Sequence, residues 1–393
     1  MNRRIYFDHA ATRFPKPTVM LDAMYDYSRT DEAASGRGAY RSSRLASEWM
    51  GELRTEIASW IDAGDAAEVS IHSGGTEALN TAIMGFLRPG DHVITSDAEH
   101  NSVLRPLHEL ARSGRITWTR LPANRQGLVD PNTVLDAICD ATRMVAIVHA
   151  NNVNGAVQDV RGIGSRLADA FRDHKPAFLV DAAQSFGYLP ISVESASIDF
   201  LASPGHKGGS GPLGTGFLYV RESMQAKLRP LLYGGTGNRS ESMEMANDYP
   251  SAFEAGNQNV PAACGWVTGL KHRRGEHSPS AWLSLNEGTL ARIAGQLYAM
   301  LRSIPGLQLI GAPDSPKLPI ASIVIDGLEC DEAAMILDSE FGIEVRSGKH
   351  CAAKIHEHLG SPPSGTIRIS GCEATTPEEI RLLEEALREL TVS

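Results

Sequence analysis

Seven short runs of β-branched, aromatic and aliphatic residues recur through the first part of the chain, each bounded by polar or Gly-containing punctuation. They are Glu68–His72, His92–Ser96, Ile116–Leu121, Met144–His149, Ala177–Asp181, Asp199–Ser203 and Gly216–Val220. Between most of them lie segments of helix length in which apolar positions return every three or four residues, such as Glu77–Phe86, Ser102–Arg112 and Gly162–Arg172. Strands alternating with helices predict an α/β fold: a mainly parallel seven-stranded sheet covered by helices on both faces. Residues 231–260 break the rhythm; they are polar, Gly-rich and weakly periodic, as functional or interface loops often are. After about residue 280 a long helical pattern appears, then short strands and helices ending in PEEIRLLEEALREL, which predicts a smaller α+β C-terminal domain. The expected division is a large domain over 16–260, a connecting helix region over 261–279, and a small domain built from 1–15 with 280–393. Whether the first residues pack on the small domain or against the site is left open by the pattern.

Composition narrows the class. The chain has 393 residues, 42% hydrophobic and 21% charged, which suits two domains of an ordinary soluble globular protein. A formal charge of −10 argues against general nucleic-acid binding. The five cysteines, at 139, 264, 330, 351 and 372, are widely spaced with no CxxC pair, so neither a disulfide framework nor a thiolate metal site is expected. Reduced thiols in a cytoplasm are the simplest expectation. The start, MNRRIYFDHAATRFP, has no apolar run of signal length, and no stretch is long and apolar enough for a membrane span.

Five strings carry candidate chemistry. In SPGHKGGSGPLGTGFLYV, Lys207 sits in a Gly-rich turn between two predicted strands; burying an ammonium is costly, and a Schiff base would remove that cost. A surface lysine in a loop fits the string about as well. The GxGxxG match at 209–214 is set aside, because a dinucleotide fingerprint follows a strand and opens a helix, whereas this one runs into a strand. In VDAAQSFG, Asp181 ends a predicted parallel strand, where ligands of open α/β sheets collect; it could hold a protonated pyridine nitrogen or simply cap a helix. In IHSGGTEALN, Gly75 and Thr76 open a helix whose free N–H groups suit a phosphate, though an ordinary capped turn has the same look. In DAEHNS, His100 follows another strand and could stack on a ring or move a proton. In VRSGKHCAAKIH, Cys351 has Arg346, Lys349 and His350 around it, and nearby positive charge favours a nucleophilic thiolate. Cys139 falls in the helical pattern LDAICDATR and reads as packing; Cys264 and Cys330 look equally inert, and Cys372 is undecided.

Taken in order, these strings resemble the class V aminotransferase-like family of fold type I pyridoxal-phosphate (PLP) enzymes, and within it the cysteine desulfurases. The resemblance runs from YFDHAAT to the final helix and rests on TEALN, AEHNS, DAAQ, GHK and RSGKHCA. FPKP, GRG and PGHKG strings, present here as Phe14–Pro17, Gly36–Gly38 and Pro204–Gly208, point to one desulfurase-like group. The resemblance implies a fold type I transferase in which Lys207 binds PLP and shuttles the Cα proton. Asp181 would pair with the pyridine nitrogen, Gln184 with the ring oxygen, and His100 would stack on the ring. Gly75, Thr76 and His206 would hold the phosphate, with Gly256 and Asn257 reaching that of a partner subunit in a homodimer. Asn152, Arg346 and Arg368 would bind substrate, and Cys351 would take sulfur from L-cysteine as alanine leaves. Only 17 positions separate Cys351 from Arg368, a short loop like that of group II desulfurases, which implies a dedicated sulfur-acceptor protein.

Four departures from the family pattern leave another class V reaction open, such as a selenocysteine lyase, a specialised C–S lyase, or an aminotransferase or epimerase of secondary metabolism. His9 stands where the family has Asn, Asn257 where it often has Thr, and Pro204 where many desulfurases have Ser. In SGCEATTPEEI, residues 370–380, relatives tend to carry an aromatic-Asn-Thr string; His72 beside the phosphate turn is a further oddity.

Overall fold

The structure, a computed structural model, describes residues 4–171, 174–236, 242–245 and 248–392. In chain order its first elements are β1 (Ile5–Tyr6), α1 (Thr18–Thr30), α2 (Arg41–Trp60), β2 (Val69–His72), α3 (Gly75–Phe86), β3 (Asp91–Ser96), α4 (Asn101–Arg112), β4 (Ile116–Leu121), α5 (Pro131–Asp136), β5 (Thr142–Val148), α6 (Val160–Ala170), β6 (Ala177–Asp181), β7 (Phe200–Pro204) and β8 (Gly216–Val220). There follow α7 (Glu222–Gln225), α8 (Val260–Arg274), α9 (Pro279–Arg302), β9 (Leu307–Ile310), β10 (Ile320–Ile325), α10 (Cys330–Phe341), β11 (Ile343–Glu344), β12 (Arg346–Gly348), α11 (Ile355–Leu359), β13 (Thr366–Ser370) and α12 (Pro377–Val392).

All seven predicted strands form one sheet, in the order β2-β8-β7-β6-β5-β3-β4. It is parallel except at β8, which runs against both β2 and β7. Strand alternation explains its two covered faces. Val145, Ile147, Phe178 and Val180 point to a core shared with Leu53, Ile163 and Trp266 of α2, α6 and α8. Met144, Ala146, Leu179 and Ala202 point the other way, to Leu79, Val103 and Leu107 of α3 and α4. The GxGxxG string leads into β8, as its rejection as a dinucleotide loop required.

A four-stranded antiparallel sheet, β12-β13-β10-β9, packs with α9, α10 and α12 around Ile323, Ile367, Leu297 and Leu383. The N-terminal segment joins this part of the molecule: β1 pairs in parallel with β11, and Asp8 bridges Ser370. It also continues toward the large sheet, because Arg13 N donates to His206 O at 3.0 Å. Of the irregular stretch 231–260, residues 237–241 and 246–247 lie outside the described residues; the remainder holds a single 3-10 turn at Ser251–Phe253.

One expectation is corrected. Cys139 is not core packing: α5 ends at Asp136, and Cys139 lies exposed in the turn before β5 with Thr142 Oγ1 3.4 Å from its sulfur. The Pro131 start sets the helix early, and the chain must turn back to reach β5, so the apolar pattern outruns the helix. Cys264, Cys330 and Cys372 are buried.

Candidate active site

The carboxyl ends of the parallel strands open on a cavity of about 400 Å3. It is lined by Gly75 and Thr76 at the start of α3, His100, Asn152, Asp181, Gln184, His206, Lys207, Arg346 and Arg368. Ten residues proposed from separate strings thus converge, at the place where open α/β sheets bind ligands.

Each is held by its element. Asp181, at the end of β6, is almost fully buried and accepts a hydrogen bond from Ala183 N at 2.9 Å. Burial pushes its carboxyl up, while that backbone donor and Lys207 pull it back. Lys207 follows β7 in the Gly-rich turn; burial lowers its amine to about 8, with Asp181 opposing and Arg368 and Arg346 reinforcing the shift. His100 caps α4, its Nδ1 accepting from Ser102 N at 3.0 Å, so its proton resides on Nε2. Burial and the Lys207 charge lower it to about 4, which makes it a neutral ring near pH 7. Gln184 donates through Nε2 to Ala10 O at 2.8 Å.

The α3 start is shaped for close approach. A Cβ on Gly75 would fall 2.8 Å from Pro204 Cδ, and one on Gly216 would fall 2.5 Å from the carbonyl carbon of Gly74. The first residues of this twelve-residue helix, whose leading N–H groups lack intrahelical partners, line the cavity there. Glu77 does not block it: its carboxylate is turned back to Ser73 N and Oγ at 2.7 and 2.6 Å. His206 adds a buried Nδ1 without a hydrogen-bond partner.

On the opposite wall, Arg368 of β13 is nearly inaccessible; it is paired with Asp8 and donates to Asn152 O at 3.1 Å. Asn152 in turn donates to His350 O at 2.7 Å. This anchors the loop that carries Cys351. That cysteine is exposed, with Arg346 Nη2 3.4 Å from its sulfur, and its carbonyl accepts from Asn101 N, next to His100, at 2.8 Å. His350 and Cys351 both have left-handed backbone, φ 50° and 59°, a conformation that costs non-glycine residues free energy and holds the thiol in a defined turn.

Three proposed residues fall outside the cavity. Cys351 stands at its edge, between Arg346 and the surface. Asn257 lines an adjoining cavity of about 330 Å3 that shares Ser73, Glu77 and Gly214 with the first, and Gly256 precedes it with φ 104°. His72 also faces that second cavity, its Nε2 2.9 Å from Ser70 Oγ, and so is not part of the Lys207 site. Residues that no string singled out are Asp8, Ala10, Ala11 and Glu99. Glu99 is fully buried next to His100, accepting from Ser96 Oγ and Val148 N, and burial pushes it up to about 8.

A model of the class-V aminotransferase family matches residues 5–383. The chain belongs to that family. Among similar proteins, a probable cysteine desulfurase of Methanothermobacter thermautotrophicus is 35% identical over 98% of this chain and 94% of that one. A probable cysteine desulfurase of Pyrococcus abyssi is 30% identical over 99% and 94%. Among solved structures, the apo cysteine desulfurase of Thermococcus onnurineus superposes with a TM-score of 0.87 at 28% identity, covering 99% of this chain and 95% of that one. The family is PLP-dependent, and the cavity suits that cofactor. It offers a lysine amine, a buried carboxylate, a neutral imidazole and a glycine-lined helix start with an unpartnered imidazole nitrogen beside it.

Proposed function

We propose that this class-V enzyme is a cysteine desulfurase: it converts L-cysteine to L-alanine and takes the sulfur onto Cys351. The observation that carries the reading is the short chain of contacts from the Lys207 cavity to a thiol, through Asn152, His350 and Arg346 to Cys351. PLP, when bound, supplies an electron sink conjugated to the substrate Cα. Lys207 would hold it and move the Cα proton, which an amine near pH 8 can do reversibly. Asp181 would keep the pyridine nitrogen charged, Gln184 would meet the ring oxygen, and neutral His100 would lie on the ring with its Nε2–H available. Gly75, Thr76 and His206 would receive the phosphate. Arg368, oriented by Asp8 and Asn152, would bind the substrate carboxylate through its planar fork.

The Cys351 thiolate bonds to the substrate sulfur as the substrate C–S bond breaks. That bond's electron pair stays with the carbon fragment, which is protonated to alanine; the sulfur remains on Cys351 as a persulfide. A reductant or an acceptor thiol must then remove it. The exposure of Cys351 and its short loop support a dedicated acceptor protein, as in group II desulfurases. Exposed Leu213 on the Lys207 cavity and exposed Leu232 on the adjoining one, with Leu231 and Tyr233 exposed beside the latter in the chain, support a homodimer in which Gly256 and Asn257 serve the neighbouring site. Among the described residues no helix is long and apolar enough to cross a membrane. With five unpaired cysteines a cytoplasmic setting is part of this reading, as is the division into 16–260 and 1–15 with 280–393.

Purified protein incubated with L-cysteine, with and without a thiol reductant, tests the reaction. The expected result is alanine, sulfide that depends on the reductant, and one added sulfur atom on the Cys351 peptide. Cys351→Ser should make no alanine. Alanine at an undiminished rate from that variant, or amino transfer to a keto acid, would overturn the assignment.

A further inference from the structure

His9 and residues 370–376, where the chain departs from the desulfurase pattern, meet in space. Residues 8–16 run as a strap along one wall of the Lys207 cavity, with Ala10 and Ala11 facing it. His9 N and Ala10 N bond Ser370 O and Oγ at 3.2 and 3.0 Å. Farther along, the strap delivers three donors to one carbonyl, that of His206 beside Lys207: Thr12 Oγ1 at 3.2 Å, Arg13 N at 3.0 Å and Lys16 Nζ at 2.5 Å. Gln184 holds Ala10 O. The strap therefore touches the neighbours of the cofactor on one side and, through Asp8, the Arg368 fork on the other.

Beyond these contacts, the Arg13 side chain ties the strap to the 370–376 loop. Its Nη1 pairs with Glu373 Oε1 at 2.5 Å, and Arg273 of α8 reaches the same oxygen from 2.9 Å. Arg273 is only 4% exposed and lies over the rings of Trp282 and Tyr188, at 4.5 and 5.2 Å. One carboxylate between two guanidiniums in so dry a place is a poor choice if stability alone were served, because apolar residues of similar volume often do as well or better. Both guanidiniums meet one oxygen, Glu373 Oε1, while Glu373 Oε2 and the Nε atoms of Arg13 and Arg273 make no hydrogen bond, so the aim of Arg13 hangs on its single Nη1 contact. Arg13 also contributes its own N–H to His206, so any loosening of the pair reaches Lys207 through a single residue.

We propose that Glu373 is a positioning residue: by locking Arg13 together with Arg273 it presses the 8–16 strap onto His206 and Gln184 and so sets the attitude of Lys207. This rests on the cofactor roles proposed above for Lys207 and Gln184. The test compares wild type with Glu373→Gln, Glu373→Asp and, as a control, Arg274→Met, which breaks a pair with Glu56 outside the strap. Three quantities are read: amide hydrogen exchange of peptides covering 8–16, the pH midpoint of the bound cofactor's visible band without substrate, and kcat/KM for L-cysteine. Glu373→Gln should exchange at 8–16 at least tenfold faster, move the band midpoint, and lose at least tenfold in kcat/KM. Glu373→Asp should recover much of each, and Arg274→Met should change none of them. Should Glu373→Gln not fold, Arg13→Gln, which removes the guanidinium that Glu373 holds, is expected to give the same changes. Unchanged exchange and band midpoint in a folded variant, or the same changes in Arg274→Met, would overturn the proposal. Because exchange and the band are read without substrate, a wild type that makes no alanine would refute the reaction and leave the strap still decided.

Discussion

Lys207 offers the sharpest test of the site's electrostatics, because its environment moves it in a direction that a surface lysine would not show. An ordinary lysine amine, with its midpoint near 10.5, is about 0.03% neutral at pH 7. Burial in the cavity wall, reinforced by Arg368 and Arg346, brings Lys207 down to about 8. The neutral, nucleophilic fraction at pH 7 is then roughly a tenth, a gain of about 300-fold. The assay is competitive acylation of cofactor-free protein with a small anhydride from pH 6 to 11, read by mass spectrometry on the Lys207 peptide against exposed Lys271 of the same molecule. Lys207 should titrate near pH 8. Asp181→Asn should lower the midpoint further, since the Asp181 charge is what favours the ammonium while burial and two arginines oppose it. A wild-type midpoint at the ordinary lysine value, or an upward move in Asp181→Asn, would refute the account of the cavity.

Gly75→Ala should weaken PLP binding tenfold or more by equilibrium dialysis, because its Cβ would lie 2.8 Å from Pro204 Cδ and the helix start must shift. Gly51→Ala, in open space within α2, should instead stabilise by up to about 1 kcal/mol and leave cofactor binding alone. Arg368→Lys should raise the KM for L-cysteine at least tenfold, or about 1.4 kcal/mol, since a point charge cannot keep Asp8, Asn152 O and a carboxylate together. Glu99, held protonated to about pH 8 when folded, binds more protons in the native state than in the unfolded one. Its contribution to stability is therefore full below the unfolded value of 4.5 and fades as pH rises toward 8. Denaturant titrations should show Glu99→Gln gaining on wild type across that window, by at most about 1.4 kcal/mol per pH unit.

Local pattern was enough for the large sheet, because a strand buried on both faces leaves an apolar run that turns interrupt. Three of the seven runs coincide with β4, β6 and β8, and the other four differ by one or two residues at their ends, as with Met144–His149 against Thr142–Val148. The same locality misleads where a pattern outlasts its element, as at Cys139 beyond the end of α5. Chemistry at strand ends was legible for a related reason: Asp181, His100 and Lys207 each follow a strand of one sheet, so the fold that unites the strands also unites them. Asp8 and Glu373 had no such signal. Each works through a partner 360 residues away, Arg368 and Arg13 respectively, and no periodicity encodes a pairing of that span. Read along the chain, His9 and the 370–376 string looked like two separate losses from a family site. In space they border a single buried ion cluster, with Arg13 and Arg273 sharing one carboxylate next to the strap that holds His206. A substitution that appears to subtract from an active site can thus belong to a support that was rebuilt in one piece. Testing His9, Arg13, Arg273 and Glu373 one at a time and then together would show this as non-additivity, because residues of one network share partners while independent losses would sum.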